Sequence, residues 1–438
     1  MYLTILQAVL TAAACYGLWR FARRMPLIVV AGFLVRAFAG QALFWISWLR
    51  LPIARSLQLG DGFWFFAIDG PGYIQFANEV IAKGPVASLL AGAIYPSHVF
   101  VYVFALFVAA FGAVASTAIL FNCAAYLAMC ALVIRMAPAH RFTLLALSFG
   151  PAAILWSLQP LKDTFFMLLI VALVYAAKRW QEQRSLVLAG AAMLVVLYAI
   201  SGTRWYFAVI VWGISAIFFL MSAIPSRRWW PALIVFVLLG QALRIGGDTD
   251  LPIPLRNVLE AHLESVPVTH YVAATRKGFE TTPGATTIRP GSAIAATPPQ
   301  ATTPQATTQA AAPEAVPSPA RVVTAGTAAV FVPRAAAQEL HLVRIGGGRG
   351  FWLFADFDTI IFSGVILFAV VACIRALRRG ARITPLFVLI VLVFVATAGP
   401  MIYSVNNFGT LFRLRQMLYV LAALAPLALG MRGGAVAR

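Results

Sequence analysis

Apolar runs about as long as a bilayer is thick recur from one end of the chain to the other. A helix crossing the hydrocarbon core takes about 20 predominantly apolar residues, within a range of about 17–25. Roughly eleven runs reach or come close to that length: 3–19, 26–48, 113–134, 143–158, 163–178, 185–200, 205–223, 230–245, 357–376, 384–404 and 411–430. The stretch SHVFVYVFALFVAAFG (97–112) suits either a twelfth span or a helix lying at the interface. A chain with this pattern is expected to be an all-α polytopic membrane protein. Its composition agrees: 62% hydrophobic and 11% charged, against about 45–50% and about 25% for soluble domains. A water-soluble enzyme is excluded.

The net charge of +19 is mainly a topology signal. Arg20, Arg23 and Arg24; Arg135 and Arg141; Lys178, Arg179 and Arg184; Arg227 and Arg228; Arg375, Arg378, Arg379 and Arg382; and Arg432 and Arg438 fall in alternate short connections, whose only acid is Glu182. The positive-inside rule makes that side cytoplasmic. The N-terminus is then outside and the C-terminus inside, in a plasma membrane of the bacterial inner-membrane type. The opposite side carries nearly every acid and is close to charge-balanced. A nucleic-acid partner is therefore not expected; membrane lipids are. Cys15, Cys123, Cys130 and Cys373 all lie in apolar runs without metal or redox spacing, and read as small buried hydrophobes. The arginines follow the first apolar run, which favours a first span over a cleaved signal.

The runs divide the chain into an N-terminal membrane module (1–245), an extracytoplasmic loop (246–355) and a C-terminal membrane module (356–438). The loop holds an Ala/Thr/Pro-rich, nearly uncharged segment, 281–320, expected to be disordered because it cannot bury enough apolar surface to offset its ordering entropy. Its flanks, 254–266 with helical spacing and 329–345, can fold.

The first module has its own long outer loop, 49–112, containing LGDGFWFFAIDGPGYIQFANEVIAKGP. From Tyr73 onward, Phe76, Ala77, Val80 and Ile81 recur at helical spacing, with Gln75 and Glu79 opposite, predicting a short amphipathic helix on the membrane surface. Asp69 then stands just ahead of a helix start, after which Gly-Pro-Gly turns the chain. A carboxylate there can take a proton from a hydroxyl or hold a cation; it can equally serve only to open the turn. An acid, a Tyr four residues on and an Ala four further (Asp69, Tyr73, Ala77) resemble the type C glycosyltransferases. These are membrane enzymes that take sugars from polyprenyl-phosphate donors, including the dolichyl-phosphate-mannose and aminoarabinose transferase groups. The resemblance implies a GT-C-like fold with extracytoplasmic juxtamembrane helices, Asp69 as catalytic base, and 97–112 as a second interfacial helix. Many members carry a second acid directly after the first; here that position is Gly70, leaving Asp61 or Glu79 to substitute.

Further along, FGPAAILWSLQPLKDTFF places Lys162 and Asp163 in a short outer turn, similar to that family's Pro-rich stretch with a charged residue. Lys162 can meet a lipid phosphate or snorkel to the interface, and Asp163 can cap the next helix. Arg204, Arg413 and Arg415 break the positive-inside trend, and guanidinium forks suit phosphate oxygens. Arg413 and Arg415 are two apart and point in different directions on a helix, so at most one reaches a shared site. Arg-x-Arg before an apolar, Pro-containing span is similar to the family's closing segment. Asp356 and Asp358 read first as a helix N-terminal cap, with a sugar or cation role as the lesser alternative. Arg36, alone in mid-span, is expected to face the interior and to reach the cleft. His98, beside the same outer loop, is a lesser substrate-binding candidate.

The expected activity is extracytoplasmic transfer of a sugar from a polyprenyl-phosphate donor to a cell-envelope glycan, lipid or protein acceptor, with inversion. No cofactor is demanded beyond a divalent cation that Asp356 or Asp358 could hold; the lipid-linked sugar is a substrate. One rival with the same chemistry is a surface-polysaccharide polymerase of O-antigen or capsule type. A rival of another class is a transporter or flippase; no internal repeat supports it.

Overall fold

A computed structural model describes residues 4–84, 97–137, 140–182, 186–226, 234, 327–328, 330–333, 336, 349–404 and 408–429. The expected span 230–245, the segments 254–266 and 281–320, most of 329–345, and Arg184, Arg227, Arg228, Arg432 and Arg438 lie outside the described residues. What is described is almost wholly helical: α1 (Ile5–Ala22), α2 (Leu27–Trp48), α3 (Gly70–Lys83), α4 (His98–Phe111), α5 (Ala115–Met136), α6 (Arg141–Phe149), α7 (Pro151–Ser157), α8 (Asp163–Gln181), α9 (Leu186–Ser201), α10 (Trp205–Ser226), α11 (Arg349–Arg378), α12 (Pro385–Ser404) and α13 (Phe408–Leu424). A two-stranded antiparallel hairpin, β1 (Gln58–Gly60) and β2 (Phe63–Trp64), interrupts the loop after α2. Among the described residues, six helices are long and apolar enough to cross a membrane: α1, α2, α5, α11, α12 and α13, the last continued through Ala428. The chain is a multi-pass membrane protein.

Helices α5 and α13 are buried on most sides, whereas α1 and α11 leave most of their apolar surface exposed, as lipid-facing spans do. Around α5, Phe100, Phe104, Phe107 and Phe121 pack edge-to-face or stacked and Phe165 packs tilted on Phe121, seating α4 against the bundle. Such aromatic pairs add about 0.5–1.5 kcal/mol beyond their area.

The run 143–158 is not the single span expected. It breaks at Gly150 into α6 and α7, because Pro151 cannot continue the first helix and is at home at the start of the second. A break inside apolar surroundings frees backbone groups that must find partners. Arg36 supplies two. Its Nη1 donates to the Ser148 carbonyl at 2.7 Å and its Nη2 to the Leu147 carbonyl at 2.9 Å, while Tyr126 lies under the guanidinium at 4.1 Å. Tyr419 Oη donates to the Ala146 carbonyl, and the amide of Ala152 donates to Asp358 Oδ1 at 2.8 Å. The mid-span arginine therefore faces inward, as expected, but ends on a helix terminus instead of a cleft.

The bundle has two chemically different ends. At one, Lys178 Nζ donates to the Met136 carbonyl, the Leu386 amide to Gln181 Oε1, and Thr384 Oγ1 to the Ala428 carbonyl. Arg135, Lys178, Arg179, Arg375 and Arg378 sit on helix termini there. The other end gathers α3, the hairpin, the α7–α8 turn, the α9–α10 junction and the first turns of α13.

Candidate functional site

A turn with no helical partners of its own carries the first two site residues. Between α7 and α8 the carbonyls of Ser157 and Gln159 accept from Asn122 Nδ2 at 2.9 and 2.8 Å, and Gln159 Nε2 donates to the Gly62 carbonyl in the hairpin. Asn122 is thus a polar side chain inside α5 that fixes the turn. Pro160 of that turn packs on Gly70, where a Cβ would stand 2.9 Å from it, so Asp69 and Lys162 are held close to one another's segments.

Asp163 is the first residue of α8 and is 3% exposed. It does not act as a cap. Its Oδ1 accepts from Arg204 Nη2 and its Oδ2 from Arg413 Nε at 2.5 Å. Arg413 Nη1 then donates to Asp69 Oδ2 at 2.7 Å. A chain of alternating charge, Arg204–Asp163–Arg413–Asp69, thereby joins four segments far apart in sequence. It runs from a buried end to a half-exposed one, since Asp69 keeps 49% of its side chain accessible. Asp69 occupies the N-cap position of α3 but makes no side-chain cap bond, which leaves its carboxylate to Arg413. The ring of Phe166 lies 4.9 Å from the Arg204 guanidinium carbon.

Lys162 stands beside this chain and donates from Nζ to Ser97 Oγ. Burial, reinforced by Arg204 and Arg413, pulls its ammonium down to about 7. Tyr73 packs edge-on against Phe100 at 5.0 Å, and burial holds its phenol above the usual range. The buried face of α3 is Tyr73, Ile74, Ala77 and Val80; Ile81, expected there, is exposed instead.

The remaining candidates lie elsewhere. Arg415 is buried on another face of α13, where Nη2 donates to Asp358 Oδ2 at 2.8 Å and Nη1 to Thr359 Oγ1 at 2.6 Å. Asp356 and Asp358 do not cap α11. That helix begins at Arg349, placing both acids about two turns inside it, and Asp358 serves Arg415 and the start of α7. No group of three His, Cys, Asp or Glu side chains converges as a metal site among the described residues. His98 begins α4, buried against Gly202, and burial pulls its imidazole down to about 4. Asp61 and Glu79 line a separate cavity beside α3.

Sequence reasoning missed Asn122, Gln159 and Ser97, the residues that hold the turn and Lys162. Asn122 could have been found as an uncharged polar residue inside an apolar run, a placement that in membranes marks a helix–helix contact. No family model, curated protein or solved structure matches the chain.

Proposed function

We propose that the chain is a membrane glycosyltransferase that moves a sugar from a polyprenyl-phosphate donor to an envelope acceptor at the extracytoplasmic face. It would have about eleven spans, a GT-C-like arrangement and an outward N-terminus. One observation carries this reading: a half-exposed carboxylate, Asp69, stands in the same cluster as three cations, Lys162, Arg204 and Arg413, at the end of the bundle away from the basic termini. Inverting transfer from a sugar phosphate needs those two elements side by side. The carboxylate takes the proton of an acceptor hydroxyl, whose oxygen attacks the anomeric carbon. The bond from that carbon to the phosphate oxygen breaks, and cations receive the charge that develops on the departing phosphate. Arg413 has Nη2 buried with no partner among the described residues, so it retains a donor for a phosphate oxygen while holding Asp163. The polar ends of the broken helix are taken up by Arg36, Tyr419 and Asp358, which speaks against their lining a transport path.

The test is transfer of labelled sugar from a panel of polyprenyl-phosphate donors by the full-length protein in proteoliposomes. Asp69→Asn should lower transfer by at least ~100-fold, the usual worth of a general base. Full transfer by that variant, or none by the wild type with any donor, overturns the reading.

A further inference from the structure

Helix α3 separates two environments of opposite character. The cationic cluster sits at its N-terminal end, around Asp69. Along its flank, between α3, the hairpin and the start of α5, opens a cavity of about 730 Å³, lined by Trp48, Asp61, Phe63, Gln75, Asn78 and Glu79. That volume lies in the range of small-molecule sites, about 300–1,000 Å³. No Lys or Arg is among its described lining residues, so it does not suit a phosphate or a carboxylate ligand. Its polar groups are two carboxylates and two amides, and its aromatic surface includes an indole that is 41% exposed.

The hairpin turn presents Asp61. Gly60, Asp61 and Gly62 all have positive φ, at 89°, 53° and 86°. Three such residues in succession are uncommon, and Asp is one of the few side chains that tolerates the left-handed region. The tip is pinned from behind: a Cβ on Gly62 would stand 2.4 Å from the Phe44 ring, Ser47 Oγ donates to the Phe63 carbonyl at 2.7 Å, and Trp64 Nε1 donates to the Leu43 carbonyl at 2.9 Å. Across the cavity, Gln75 Nε2 donates to Glu79 Oε1 at 3.3 Å, leaving the second Glu79 oxygen and the Asn78 amide available.

Carboxylates and amides accept from and donate to neighbouring hydroxyls, and an exposed indole offers a flat apolar face. We infer that this cavity binds a sugar ring, uncharged or bearing an amine, as part of the acceptor. Only the word acceptor rests on the transferase reading. Pro71 lines the cavity two residues after Asp69, so a ring bound there lies next to the segment that carries the base.

The experiment is saturation-transfer NMR on the full-length protein in nanodiscs. The probes are methyl glycosides of glucose, galactose, mannose, N-acetylglucosamine and glucosamine, with glucuronic acid and glucose 6-phosphate as anionic comparators. At least one neutral or amino glycoside should receive saturation, and the anionic sugars should bind at least ~10-fold more weakly. Trp48→Ala and, separately, Asn78→Ala on the exposed face of α3 should each weaken binding roughly 10-fold. No saturation of any neutral or amino glycoside, equal binding of the anionic sugars, or wild-type binding in both cavity variants overturns the inference. If glycosides bind and the cavity variants lose them while the wild type transfers no sugar, the transferase reading fails and the sugar site stands.

Discussion

Asp163 and Asp69 share the guanidinium of Arg413, and their burial makes opposite predictions for the same substitution. Asp163 is 3% exposed and is held by two arginines, of which Arg204 is itself 3% exposed. Asp163→Asn removes the negative charge and places an amide donor against one of two guanidinium donors. Breaking a buried pair by neutralising one partner costs about 3–5 kcal/mol, because the remaining charge is left in a poor solvent. Arg413 retains Asp69. Asp69→Asn breaks a pair whose carboxylate is half exposed, and such pairs are worth about 0–1 kcal/mol. The assay is unfolding of each variant by denaturant titration in mixed micelles, followed by the fluorescence of the 11 tryptophans. Asp163→Asn should shift the unfolding free energy by several kcal/mol while Asp69→Asn barely moves it. Pairing Asp163→Asn with Arg204→Gln should recover part of the loss, since the buried guanidinium facing the amide is then replaced by a neutral group. The reasoning is refuted if the Asp163 and Asp69 variants are equally stable, or if the double variant is worse than the sum of its parts.

Three further outcomes follow from the same geometry. Lys162 titrates near 7 in the folded chain and near 10.5 unfolded, so the unfolded chain binds the extra proton between those values. Stability should rise as pH increases from about 7 to about 10.5, and affinity for polyprenyl phosphate should fall as pH rises through 7; Lys162→Met should flatten both profiles in a pH series. His98 titrates at about 4 folded against 6.5 unfolded, so it contributes stability above 6.5 that is lost as pH falls toward 4, and thermal unfolding of His98→Phe should lack that acid limb. Gly62→Ala forces a side chain into a positive φ and against Phe44, and should cost about 1–3 kcal/mol by denaturant titration.

What was readable in the sequence depended on the partner each residue needed. Membrane helices need only apolarity of the right length, and among the described residues the six helices long and apolar enough to cross a membrane fall where six of the runs do. Arg204 and Arg413 were legible because they break the positive-inside trend, and Asp69, Lys162 and Asp163 because they stand in Gly/Pro-containing outer segments that resemble a known family; the structure brings all five together. The division between Arg413 and Arg415 was legible from their two-residue spacing. Three features were hidden. Arg36 is satisfied by backbone carbonyls, which carry no side-chain signature. The Asp358 partner of Arg415 precedes it by 57 residues, and the acid looked like a cap because it stands at the outer end of the apolar run 357–376. The break at Gly150 was announced by Gly-Pro, but the apolar residues on both sides outweighed it in a reading based on run length.

The two arginines of α13 explain why the charged chain can hold a fixed geometry at the end of a lipid-embedded bundle. Arg415 is locked by Asp358 and Thr359 of α11, and Asp358 also receives the first free amide of α7. That single carboxylate therefore registers α13, α11 and α7 against each other. Helix α7 leads directly into the turn that delivers Lys162 and Asp163, and α13 carries Arg413 half a turn before Arg415. A slip of α13 by one residue would rotate Arg413 by about 100° away from Asp163. It would also strip Arg415 of its partners, at a cost of about 3–5 kcal/mol. The buried pair contributes little net stability over an apolar pair; its consequence is to penalise every register but one. Arg415 therefore fixes where the Arg413 guanidinium stands relative to Asp163 and Asp69.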